Sequence, residues 1–171
     1  MSASTIRFRG TPVSTSRTTV RATVTAFLVA TASVALVACA PDPDLSAVES
    51  ELAAVENVTA ATASPQHSNF PWETQVNIDL YVEQTGEESL LHTVREIAPV
   101  LAADRATSRF KTTINFYEGE PADYGENGAT SFDVAYVPQS GGVFEQELGL
   151  TEFAGIVFES GDAQRLAEES D

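Results

Sequence analysis

Basic residues and metal-binding side chains are scarce in this chain. Its 171 residues hold one lysine, Lys111, and eight arginines against 25 acids, a formal net charge of −16. Nucleic-acid recognition needs a basic face to neutralise phosphates, so this balance argues against a nucleic-acid partner. A single cysteine, Cys39, excludes an intramolecular disulfide and a cysteine-based zinc centre. Two histidines, His67 and His92, leave little for a His-rich metal site. No P-loop, G-x-G-x-x-G or G-x-S-x-G occurs, so neither a phosphate-cradling glycine loop nor a serine-nucleophile elbow is present, and no residue is assigned a catalytic role. The hydrophobic share, 43%, is that of a globular chain and not of a disordered one.

The charge is split along the chain. The stretch 1–38 holds Arg7, Arg9, Arg17 and Arg21 and no acid, a net +4; the stretch 39–171 sets five bases against all 25 acids, a net −20. Such a split marks a targeting segment ahead of a mature protein. Its parts stand in the expected order: a basic Ser/Thr-rich start from Met1 to Arg21, then an uncharged run from Ala22 to Ala38. A spanning helix needs about 20 predominantly apolar residues, and this run is shorter and diluted by alanine and threonine. It reads as the hydrophobic part of a signal peptide over 1–38. No adjacent arginine pair is present, so export in the folded state is not indicated.

The uncharged run ends in Leu36-Val37-Ala38-Cys39. This stretch resembles the lipobox of bacterial lipoproteins: an aliphatic residue, a tolerant position, a small residue, then cysteine. The resemblance covers the chain up to Cys39 and nothing beyond it. It implies that Leu36, Val37 and Ala38 are recognised by a dedicated signal peptidase, and that Cys39 carries a diacylglyceryl group as the new N-terminus. The protein would then sit outside the cytoplasm, attached to the cell membrane through lipid. The alternatives are an ordinary secretory signal with a chance cysteine, or an uncleaved anchor. Two acyl chains suffice for stable attachment, at about 0.8 kcal/mol per buried CH₂, where one is marginal. The stretch 39–43, with Pro41 and Pro43, is expected to form an extended tether on which the acidic body stands off the membrane.

The stretch 44–171 is expected to form one domain. Leu45, Val48, Leu52 and Val55 make a helical stripe behind Asp44, a capping residue. A weak strand follows over 58–63, and 64–69 is rich in turn residues. From Gln75 to Val82, Val76, Ile78, Leu80 and Val82 alternate with polar residues, the pattern of a half-buried strand. The stretch 87–104 carries a helical face of Leu90, Leu91, Val94, Ile97, Ala98 and Leu101, with Pro99 as a kink or early stop. Alternation returns over 110–117 and again over 131–137, where Phe132, Val134 and Tyr136 are expected inward, the two strands forming a hairpin. A helical turn over 143–148, an apolar strand over 153–158 and a last helix over 161–169, capped by Ser160, complete the order. These elements predict an α/β two-layer sandwich, with helices on one face of a mixed or antiparallel sheet and the other face wet. The strand–helix–strand step over 75–117 predicts a crossover between parallel strands. The order is similar to ferredoxin-like and BON-like modules of envelope proteins, a likeness of architecture that carries no function.

Three features are candidates for chemistry. The loop with Glu118, Glu120, Asp123, Glu126 and Asn127 gathers oxygen donors among glycines, the chemistry of a weak calcium site. Its spacing is not that of an EF-hand, and a solvated turn in an acidic protein is the plainer reading. Phe70 and Trp72 place two aromatics in a loop, either a contact surface or a plug for the end of the core. His92 stands between Glu88 and Glu96 at i−4 and i+4, a line that binds a metal, moves a proton or is simply a surface histidine between carboxylates. Two functions follow. One is a lipid-anchored module that holds an envelope protein, a cell-wall component or a cation. The other is a small carboxylate-dependent envelope hydrolase, which requires a concave pocket.

Overall fold

A computed structural model describes residues 42–67, 73–125 and 128–170. The stretch 42–171 belongs to one compact unit. Its elements, in chain order, are α1 (Ser46–Leu52), β1 (Val58–His67), β2 (Thr74–Val82), α2 (Glu87–Ala103), β3 (Thr112–Glu118), a 3₁₀ turn (Pro121–Tyr124), α3 (Val143–Leu148), β4 (Thr151–Glu152), β5 (Ile156–Phe158) and α4 (Asp162–Ser170). Among the described residues, no helix is long and apolar enough to cross a membrane.

The five strands form one mixed sheet in the order β1-β2-β3-β5-β4. β2 and β3 are parallel, joined through α2, and the other pairs are antiparallel. Alternation decides which residues meet the helices. Val76, Ile78, Leu80 and Val82 of β2 are fully buried, and so are Ile114 of β3 and Ile156 of β5. They pack in one cluster with Leu90, Val94, Ile97 and Leu101 of α2, Val48 and Leu52 of α1, and Leu166 of α4. The architecture is therefore the expected two-layer α/β sandwich.

Local chemistry sets several ends. α1 has Leu45 and not Asp44 at its N-cap position, with no side-chain cap bond. One residue earlier, Asp44 Oδ1 accepts the Ser46 hydroxyl at 2.7 Å and the Ser46 N–H at 3.1 Å, bonds that lower its carboxyl pKa. α2 opens at Gly86 with Glu87 and Glu88 in its first turn, where acids complement the helix dipole. It runs through Pro99 to Ala103, so the proline does not stop it early. Asp104 Oδ1 then accepts the Ala106 and Thr107 N–H groups, each at 2.9 Å, and turns the chain towards β3.

Three segments depart from the sequence expectation. β1 continues through 64–67, although Pro65 lies within it. Pro65 pairs opposite Val76, at the same parity as Ala63, whose N–H points outward to Glu49 Oε1 at 2.6 Å. At that parity a proline forfeits no ladder bond, which is why an edge strand tolerates it. The strand expected over 131–137 shrinks to a single bridge, Tyr117 to Val134, and Phe132 is 95% exposed. Asp133 takes the Thr130 N–H at 2.9 Å and the Thr130 hydroxyl at 2.6 Å, a local turn that competes with strand pairing. Finally, 153–158 is not one strand. β4 and β5 form a tight hairpin through Ala154 and Gly155, both at positive φ, with Phe153 exposed at the bend.

The outer face of the sheet is not wet throughout. Asn77, Asp79 and Asn115 are half-buried there and share hydrogen bonds: Asn115 Nδ2 donates to Asp79 Oδ1 at 2.9 Å and to Asn77 Oδ1 at 3.2 Å. Beyond them Tyr81 and Tyr117 stack with ring centres 5.5 Å apart, covered by Tyr124 of the 3₁₀ turn. Burial, followed by the nearby Asp79 charge, pushes Tyr117 up to about 12 and raises Tyr81 in the same way.

Candidate functional site

Glu56, His92 and Glu96 come together beside a groove. Their donor atoms all lie within 4.8 Å of one another, and among the described residues they form the one such group of histidine and carboxylate side chains. His92 and Glu96 project from one face of α2, as i,i+4 positions do, with Nε2 and Oε1 3.5 Å apart. Glu56 comes from the turn between α1 and β1, far earlier in the chain.

That turn is held by its neighbour. Asn57 has φ +69°, a left-handed conformation that asparagine tolerates better than most residues. Its Nδ2 donates to Thr93 Oγ1 at 3.0 Å and to the Gln84 carbonyl at 3.1 Å, and its Oδ1 accepts the Gln84 N–H at 2.7 Å. Thr93 is the residue after His92. The bonds that fix the turn therefore fix Glu56 relative to the helix that carries the other two donors.

The groove beside the trio has a volume of about 850 Å³ and takes its apolar lining from Val55, Pro99 and Leu166. Arg95 and Glu169 also line it. It is open to water: the His92 side chain is 62% exposed and that of Glu96 37%. The i,i+4 reading of His92 with Glu96 corresponds to this geometry, whereas Glu88 is not part of the converging group. Sequence reasoning missed Glu56, because nothing in the spacing links a turn at 56 to a helix at 92.

The acidic loop is arranged differently. Asp123 Oδ2 accepts the Glu120 N–H at 2.8 Å within a reciprocal capping box around the 3₁₀ turn. Gly119, at φ +86°, leaves room for that carboxylate; a Cβ there would lie 2.5 Å from Asp123 Oδ2. Glu118, Glu120 and Asp123 are not in the converging group. Glu126 and Asn127 lie outside the described residues, as do Phe70 and Trp72 of the aromatic loop, and Leu36, Val37, Ala38 and Cys39 of the leader. His67 Nε2 meets Asp42 Oδ1 at 2.9 Å, both side chains being largely exposed.

A second polar site was also invisible in the sequence. Glu152, 6% exposed, accepts hydrogen bonds from the Tyr136 hydroxyl at 2.6 Å and from the N–H groups of Phe144 at 2.9 Å, Glu145 at 3.1 Å and Gln139 at 3.2 Å. Its acceptors are used up by the start of α3 and the loop before it, so its role is structural. Burial, then the bond to Glu152, raises the Tyr136 phenol well above its ordinary value.

Comparison with known proteins finds no matching family model, no matching curated protein and no matching solved structure.

Proposed function

We propose that this chain is a lipid-anchored protein of the bacterial cell envelope whose acidic domain is a binding module. The leader carries the reading: four bases and no acid, an uncharged run from Ala22 to Ala38, and then the chain's single cysteine at the end of Leu36-Val37-Ala38-Cys39. Diacylglyceryl transfer to Cys39 would supply two acyl chains, enough for stable attachment. The open groove on the domain supports binding over hydrolysis. A pair of carboxylates acting as acid and base works best where water is excluded and their environments differ, whereas Glu56 and His92 are exposed.

The stretch 39–43 would be the tether between the lipid and the domain. Anionic lipid repels the acidic body, so lipid, not charge, supplies the attachment. Metabolic labelling with a fatty-acid analogue tests the reading. Label on the wild-type chain and none on Cys39→Ala is expected; no label, or equal label on both, contradicts it.

A further inference from the structure

We infer that Glu56, His92 and Glu96 form a binding site for one divalent transition-metal ion of the zinc class. The donor set comes first. An imidazole with two carboxylates suits zinc-like ions, whereas calcium takes about six to eight oxygens and no nitrogen. Three protein donors with a position left for water is the composition of an open zinc site.

The distances agree. With metal–donor bonds of about 2.1 Å, neighbouring donors of a tetrahedron stand about 3.4 Å apart. His92 Nε2 and Glu96 Oε1 are 3.5 Å apart. That is too long for a good hydrogen bond between them, and it matches two ligands of a shared ion. Glu56 Oε lies within 4.8 Å of both, so a side-chain rotation of an exposed glutamate closes the third edge.

The setting also favours a cation. Among the described residues, Glu56, Glu96 and Glu169 line the groove against Arg95, so the lining stays negative with the arginine counted. The Asn57 bonds to Thr93 and Gln84 restrain the turn before any ion binds. That lowers the ordering cost of bringing Glu56 to the helix. The site does not depend on lipid attachment and stands or falls separately from it.

The test uses the full-length protein extracted from membranes in mild detergent, titrated with zinc chloride by calorimetry and with cobalt chloride by visible absorption. One ion per chain is expected, with a cobalt band of tetrahedral intensity. His92→Asn, Glu56→Gln and Glu96→Gln should each weaken zinc binding about tenfold or more, since loss of an outer-shell partner alone costs about 10–100-fold and these residues are the ligands themselves. Melting in metal-free buffer confirms that these variants, altered in side chains at the groove, remain folded. Cys39→Ala should bind zinc as the wild type does. Wild-type affinity in His92→Asn or in Glu56→Gln overturns the assignment. So does loss of zinc binding in Cys39→Ala, which would place the ion at the leader.

Discussion

At Gly142 the chain passes so close to Glu152 that an added Cβ would stand 2.3 Å from its Oε2. Only a glycine lets the buried carboxylate reach the Phe144 and Glu145 N–H groups at the start of α3, where negative charge is favoured. Gly142→Ala forces the carboxylate away. Glu152→Ala leaves the same N–H groups and the Tyr136 hydroxyl without their acceptor. Each variant should lose about 2 kcal/mol in urea unfolding. Because they break one contact, the double variant should lose little more than either alone, and additive losses would contradict the shared contact. None of this was legible in the sequence. Glu152 is one of 25 acids, and its partners are drawn from a loop and a short helix that only tertiary packing brings to it. Glu56 and Asn57 were hidden for the same reason, whereas the His92–Glu96 pair was visible because helix geometry alone makes i,i+4 residues neighbours.

Among the elements, β2, β3 and α2 could be read directly, because their apolar positions follow one period and the sheet and helix bury that face. β1 was read too short, since Pro65 signals a turn until its outward parity on an edge is known. That edge is guarded. Glu49 of α1 binds the Ala63 N–H, and Pro65 has no N–H to offer a further strand. Glu49→Ala should therefore speed hydrogen exchange at Ala63 and promote concentration-dependent association, with a stability loss of about 1 kcal/mol; unchanged exchange at Ala63 would contradict this role. The tyrosine cover on the outer face gives a pH dependence. The fold holds the Tyr117 proton up to about pH 12, whereas an unfolded tyrosine releases it near 10. The folded state thus binds more protons in this window. Its stability from Tyr117 is whole below about pH 10 and falls as pH rises towards 12. Urea midpoints taken from pH 8 to about 11.5 should decline above about 10, and Tyr117→Phe should lessen the slope; an equal slope in the variant would contradict the assignment.

At the scale of the whole molecule, charge divides the sequence into a basic stretch 1–38 and an acidic stretch 39–171. The stretch 39–171 carries −20, and self-repulsion of that size keeps such a chain soluble without specifying its fold. The fold is instead set by one core, in which α1, α2 and α4 cover the apolar face of a mixed sheet. The groove with its Glu–His–Glu trio lies between the α1–β1 turn, α2 and α4. On the proposed reading, lipid on Cys39 sets where this body works. Mass spectrometry of the mature N-terminus, from protein extracted out of the producing cell's membranes, tests that most directly. The account predicts a chain that begins at Cys39 with a diacylglyceryl thioether on its sulfur. A chain that begins elsewhere, or an unmodified Cys39 thiol, would contradict it.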